Sequence, residues 1–400
     1  MDLTTFRRLR SPEGAALLTE ACALAPTEAT FLSHLTALRR RHPPELAAAA
    51  LELALLRRRA AAKFSRAAAM YVTAEALEQA SSEVVAQHRA RRYGGFGRVA
   101  DLGCGIGGDT VALAAAARVL AVDADPLRLA MAEANAEAYG VRDRVEFALA
   151  DLRAWSPPGG LDALFFDPAR RRQGRRVFRA AAYEPPLETV LGWLPAVPAA
   201  GVKAAPGIDP AEVPPGCEVE FIAVGWELRE AALWFGPLRT AGRRATLLPG
   251  GHTMTDRPAG PVPVAEPQAY LFEPNPAVIR AGLVEALAEE LGAAKLDPQI
   301  AYLTGGRPVA SPFVRAYAVE EWLPFGLKRL NARLRALGVG QVVVKKRGSP
   351  LDPEDLRRRL RLDGPERRTL VLTHVRGRHA VLICRDLTPD PAGASAGPAP

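Results

Sequence analysis

The chain has 400 residues, 48% of them hydrophobic, enough to bury more than one core. Its 52 Lys and Arg against 44 Asp and Glu leave a net charge of +8, a balance that favours a polyanion such as nucleic acid as partner. Four cysteines, Cys22, Cys104, Cys217 and Cys384, lie far apart with no C-x-x-C pair, and the histidines are scattered, so neither a disulfide framework nor a metal site is expected.

Apolar residues recur at three- and four-residue spacing in "AALLTEACAL", "FLSHLTALRRR" and "ELAAAALELALLRRRAAAKF", which predicts a helical N-terminal region over 1–93. The apolar run Leu46 to Leu56 is too short to span a bilayer and is closed by Arg57-Arg58-Arg59. No membrane attachment is expected, and a cytoplasmic location is.

Beyond Gly94-Gly95 the period changes. "RVADLGCGIGGDTVALAAAA" reads as strand, glycine loop and helix; "RVLAVDAD" is a second strand and "PLRLAMAEANAEAYGV" a second helix. "RVEFALAD", "LDALFFDPA" and "GVKAAPGID" supply three more strands, and "CEVEFIAVGWELREAALWFGPL" late ones. Strands alternating with helices at this spacing predict an α/β fold with a Rossmann-like parallel sheet over 94–265. Residues 266–326 are expected as a connector and helical segment. A small C-terminal α/β domain follows over 327–386, and the Pro-, Ala- and Gly-rich tail 387–400 is expected to be disordered.

Gly103, Gly105 and Gly108 match G-x-G-x-x-G, with Asp123 twenty residues beyond Gly103, so a nicotinamide oxidoreductase is a competitor. Four acids shift the balance: Asp101, Asp123, Asp151 and Asp167 each stand at the carboxyl end of a predicted strand, the edge where open α/β sheets bind ligands. Asp101 can reach a cationic amino end, Asp123 ribose hydroxyls and Asp151 an adenine amino group. Four carboxylates repel a pyrophosphate but suit a ligand with an amino-acid end and an adenosine end, which describes S-adenosylmethionine.

Residues 98–170 resemble a class I S-adenosylmethionine-dependent methyltransferase, through "DLGCGIGG", "AVDADP", "ALADL" and "FFDPAR". The wording of "GGDTVAL", "DADPLRLAMAEANAEAYGV" and "DRVEFALAD", with the lead-in "KFSRAAAMYVTAEALEQ", is similar to the trimethylguanosine-synthase-like RNA methyltransferases. "VVVKKRG" and "LRRRLRL" resemble the THUMP-like domain behind bacterial members. The resemblance implies S-adenosyl-L-methionine as cofactor, held by Asp101, Gly103, Gly105, Gly107, Asp123 and Asp151, and catalysis at Asp167 and Pro168.

For an exocyclic amine, the Asp167 carboxylate and the Pro168 carbonyl are a pair of N–H acceptors, and Pro168 has no N–H to compete. The family's Asp/Asn-Pro-Pro-aromatic motif is here Asp167-Pro168-Ala169-Arg170, so a cap guanine is not the expected target. Uracil C5 enzymes carry Asp-Pro-Pro-Arg and need a thiolate, for which none of the four cysteines stands in a recognisable motif. Arg170, Phe178 or Tyr183 can stack a base. Arg170 and Arg171, with the arginines after them, and Lys345, Lys346 and Arg347 are the expected phosphate contacts. The expectation is methylation of a base in tRNA or rRNA. A small-molecule or protein substrate, and a catalytically silent RNA-binding fold, remain alternatives.

Overall fold

The computed structural model describes residues 1–168, 171–172, 175–176 and 183–387. Arg170, Phe178 and the tail beyond Leu387 lie outside the described residues, and of Arg171 only the backbone is described. The chain divides into two compact units, Met1–Val224 with Arg229–Gly242, and Gly225–Leu228 with Arg243 onward.

The first unit opens with helices α1 (Leu3–Leu9), α2 (Pro12–Ala23), α3 (Phe31–Arg39), α4 (Pro44–Ala60), α5 (Ala74–Gln79) and α6 (Glu83–Ala90). Their starts follow from capping: Asp2 accepts from the Thr5 N–H, Ser11 precedes Pro12 at the head of α2, and Thr73 accepts from the Ala76 N–H. Leu46, Leu53, Leu17, Leu18 and Leu38 join in one buried cluster that also takes in Met131 of the following domain.

There follow β1 (Arg98–Leu102), α7 (Gly108–Ala114), β2 (Arg118–Asp123), α8 (Pro126–Tyr139), β3 (Val145–Leu149) and β4 (Ala163–Phe166). Short strands β5 (Arg171–Arg172) and β6 (Arg175–Arg176) pair antiparallel. Then come α9 (Leu187–Trp193), β7 (Ala199–Ala204), β8 (Glu218–Val224) and β9 (Glu227–Phe235). The strands run in the order β8-β9-β7-β4-β1-β2-β3. β1, β2, β3, β4 and β7 are parallel, and β9 is antiparallel to β7. The chain leaves β1 toward β2 and β3, then returns to place β4 on the other side, so the strand order reverses between β1 and β4 at their carboxyl ends. Leu102 pairs with Phe166, and the Asp167 N–H continues the ladder to the Leu102 carbonyl at 3.0 Å.

The second unit contains the hairpin β10 (Arg243–Leu248) and β11 (His252–Thr255), then β12 (Tyr270–Pro274), α10 (Pro276–Arg280), α11 (Val284–Leu291), β13 (Ala294–Asp297), β14 (Ile300–Gly305) and β15 (Val314–Pro324). It ends with α12 (Leu327–Ala336), β16 (Val339–Lys346), α13 (Pro353–Arg359), β17 (Glu366–Val375) and β18 (Arg378–Asp386). One seven-stranded sheet runs β13-β14-β12-β15-β18-β17-β16, with β16 and β17 its parallel pair. Leu330 and Leu334 of α12 and Leu356 of α13 pack on Leu370 and Leu372. Residues 266–326, read from sequence as connector and helix, carry α10 and α11 but also four strands of this sheet, β12 to β15.

Candidate cofactor and acceptor site

A cavity of about 640 Å³ opens at the strand-order reversal in the first unit. The glycine loop after β1 forms its floor, and the loops after β2, β3 and β4 bring Asp123, Asp151 and Asp167 to its walls. A further wall, Ala76 to Ser81, comes from α5 and the residues after it. The N-terminal helical region therefore encloses the site as well as scaffolding the fold.

Gly103, Gly105 and Gly107 all have left-handed backbones, with φ of 76°, 55° and 81°. A Cβ at Gly103 would lie 2.7 Å from the Asp167 carbonyl oxygen, and one at Gly107 would lie 3.1 Å from Ala132. At Gly105 it would meet nothing within 4 Å. Gly103 and Gly107 thus allow close packing, while Gly105 leaves a bare backbone edge on the cavity.

Asp123 is 9% exposed; its Oδ2 accepts from the Gly105 N–H at 2.8 Å and its Oδ1 from the Asp125 N–H at 2.9 Å. Burial pushes its carboxyl up, against the pull of these two N–H groups. Asp151 is exposed at the rim, where the Arg153 guanidinium, 2.6 Å from Oδ2, and the Arg153 N–H hold its carboxyl down at about 2.

Asp101 is fully buried and does not line the cavity. Thr110 Oγ1 donates to its Oδ2 at 2.5 Å, and its Oδ1 has no partner among the described residues. Burial first, then the charge of Asp109, pushes its carboxyl well above the usual range, against the pull of the Thr110 hydroxyl and the Arg89 guanidinium. Asp109, in the first turn of α7, does line the cavity. Its partner is Arg89, itself 1% exposed, which also pairs with Glu230 and lies 5.0 Å from the Phe165 ring centroid. Sequence reasoning missed Asp109; the signal was an acid directly after the double glycine.

Asp167 and Pro168 both line the cavity. Lys203 Nζ lies 2.6 Å from Asp167 Oδ2. Lys203 was also missed, although a lysine inside the apolar strand "GVKAAP" is out of place unless something pairs it. Tyr183, an expected stacking platform, is 1% exposed and its hydroxyl accepts from the Ala205 N–H, so it is a core residue with no face for a base.

In the second unit Lys345 and Arg347 are engaged. Lys345 Nζ is 2.7 Å from Glu273 Oε2, while Arg347 donates to the Ala301 carbonyl and lies 5.0 Å from the Tyr302 ring. Lys346 is exposed. Among the described residues no cluster of His, Cys, Asp or Glu has the makings of a metal site, and no helix is long and apolar enough to cross a membrane.

The family model for RNA cap guanine-N2 methyltransferases matches residues 96–175, and that for THUMP domain-like sequences matches 314–386. A family model of unknown function matches 2–60. An uncharacterized S-adenosylmethionine-dependent methyltransferase of Mycobacterium tuberculosis is 39% identical over 338 residues, 81% of this chain and 92% of its own. The chain belongs to the S-adenosylmethionine-dependent methyltransferases. As a methyltransferase it shares its fold with a putative methyltransferase from Porphyromonas gingivalis, whose crystal structure aligns with a TM-score of 0.72 at 22% identity, over 91% of this chain and 100% of that one. A 23S rRNA (uracil(1939)-C(5))-methyltransferase of Acidithiobacillus ferrooxidans is 36% identical to this methyltransferase over 78 residues, 18% of each chain. The expected α/β methyltransferase fold, the cofactor and the trimethylguanosine-synthase-like and THUMP-like resemblances are therefore borne out.

Proposed function

We propose that this methyltransferase modifies a base in structured RNA, tRNA or rRNA, with Asp167 and Pro168 receiving the acceptor group. The observation that carries the reading is the Asp167 carboxylate on the cavity wall, with Oδ2 held by Lys203 and, among the described residues, no partner on Oδ1. The RNA-methyltransferase family model over this segment and the THUMP-like match in the second unit support RNA as the substrate class. Ala169-Arg170 replaces the second proline and the aromatic ring of the cap-guanine enzymes, which favours an internal base over a cap.

The residues present fit S-adenosylmethionine. The bare edge at Gly105 lets a ligand approach the backbone, between the close-packed Gly103 and Gly107. Asp123 is fixed by two N–H donors and keeps lone pairs for ribose hydroxyls. Asp151 stands at the rim for an adenine amino group, and Asp109, with buried Asp101 behind it, for the amino-acid end. When bound, the cofactor supplies an electrophilic methyl group on a sulfonium sulfur. Asp167 and the Pro168 carbonyl accept N–H groups of the base and aim the nitrogen lone pair, and Asp167 can take the proton released. The Ala76–Ser81 wall shields the reacting atoms from water.

The test uses purified protein, methyl-labelled S-adenosylmethionine and total RNA from a strain lacking the gene. Label is expected in one size class of RNA, and Asp167→Ala should lower it at least about 100-fold. Cofactor binding by calorimetry with no label in any RNA would defeat the RNA reading and turn the search to small molecules, proteins or a silent fold.

A further inference from the structure

Lys203 is the penultimate residue of β7, a strand buried at every position, and is 2% exposed. A buried ammonium costs several kcal/mol unless it is paired and hydrogen-bonded, so its partners define its role. Besides Asp167, Nζ donates to the Gln79 carbonyl at 3.2 Å. Gln79 is the last residue of α5, where helix carbonyls have no partner within the helix. Lys63 takes the neighbouring carbonyls, Leu77 at 2.7 Å, Glu78 at 3.3 Å and Ala80 at 2.9 Å. Two lysines thus clasp one turn, and that turn is the cavity wall supplied by the N-terminal region. Burial first, then the charges of Lys203 and Arg229, lowers the Lys63 ammonium from its ordinary value.

Among the described residues, the titratable groups that act on Asp167 include Lys203 from β7 and Asp101 from β1, with Asp109 beyond Asp101 and Lys63 behind Lys203. Among the described residues, Lys203 is the cation in contact with the carboxylate. In a site crowded with acids, that contact gives Asp167 a cationic partner on one oxygen. We propose that Lys203 is a positioning residue, holding Asp167 as an ionised acceptor turned toward the cavity and joining it to the wall at Gln79. The proposal deepens the reading of Asp167 as the acceptor-binding group and rests on it. A neutral Asp167 would present an O–H where the substrate needs an acceptor.

The test needs no substrate. Aspartate carboxyls are labelled with carbon-13, and the Asp167 resonance, assigned with Asp167→Asn, is followed against pH with S-adenosylhomocysteine bound. Lys203→Met keeps the apolar stem and removes the charge. It is expected to raise the Asp167 midpoint by about one pH unit or more, a tenfold gain in proton affinity. Lys203→Arg should restore it, with S-adenosylhomocysteine affinity within about threefold throughout. In the RNA assay Lys203→Met should lower kcat about 100-fold with KM unchanged, and Lys203→Arg should recover part of it. Should Lys203→Met not fold, Lys203→Gln keeps a donor for Gln79 without charge and carries the same titration. An unmoved Asp167 midpoint in a folded, uncharged variant overturns the proposal. Wild type that labels no RNA overturns the substrate reading alone, because the carboxyl titration still decides the role of Lys203.

Discussion

Asp101 and Asp123 stand near the carboxyl ends of neighbouring strands, yet their surroundings differ. Asp123 receives two backbone N–H groups, while Asp101 has one hydroxyl donor and a buried oxygen with no partner among the described residues. A carboxyl whose folded value is raised favours folding at acid pH, and that contribution is lost as pH rises from the ordinary carboxylate range toward the raised value. Asp101→Asn removes this titration and keeps an acceptor for Thr110. Urea unfolding of wild type and variant should therefore diverge with rising pH, the variant gaining about 1.4 kcal/mol per pH unit over that window. Parallel curves from pH 4 to 8 would show that Asp101 is ionised throughout. The position of the acids at strand ends was legible from sequence, because period and turn residues mark where strands stop. Which acid lines the cavity was not: that depends on whether the loop covers Asp101 or Asp109, a matter of three-dimensional packing.

The glycine loop separates two functions along a few residues. Gly103→Ala drives a methyl into the Asp167 carbonyl, on top of a left-handed backbone cost of about 1–2 kcal/mol. Gly105→Ala carries the same backbone cost with no clash, but sets its methyl toward the cavity. Thermal unfolding should rank Gly103→Ala as the less stable, while calorimetry with S-adenosylhomocysteine should show Gly105→Ala weakened about tenfold or more relative to its stability loss. Equal effects on both measurements would deny the division. The first unit's strands and helices were legible for a related reason: buried parallel strands are short apolar runs between helical periods. β15 was not, because its outward charges hide the alternation. Glu320 is paired by Arg368 at 2.5 Å and Glu321 by Arg333 at 2.7 Å, partners from β17 and α12 that no local pattern reveals. The Lys203–Gln79 contact was hidden likewise, its residues 124 apart in the chain.

At the scale of the molecule, the net charge of +8 has to be divided between cations that hold the fold and cations that face solvent. Lys345 and Lys346 are adjacent and fall on opposite sides of that division. Lys345→Ala removes the cation beside Glu273, leaving its Oε2 only the Tyr317 hydroxyl among these partners, and should cost about 1–3 kcal/mol of stability. Lys346→Ala should leave stability within about 0.5 kcal/mol while lowering the slope of log affinity for RNA against log salt by about one. An unchanged salt slope would remove Lys346 from the RNA contacts. Composition favoured a polyanion partner but could not sort these roles, since a paired lysine and a solvated one count the same.

The clasp on the end of α5 also sets a timetable. As the chain emerges from the ribosome, Lys63 meets the Leu77, Glu78 and Ala80 carbonyls within 14 to 17 residues of itself. The Gln79 carbonyl must wait for Lys203, another 124 residues of synthesis. The wall's contacts with Lys63 thus come from its own neighbourhood, whereas its contact with Lys203 requires β7, which delivers the same ammonium to Asp167. A nascent chain halted before β7 would carry the glycine loop, the four acids and the sequence of α5, and still lack the ammonium that joins Asp167 to the wall at Gln79.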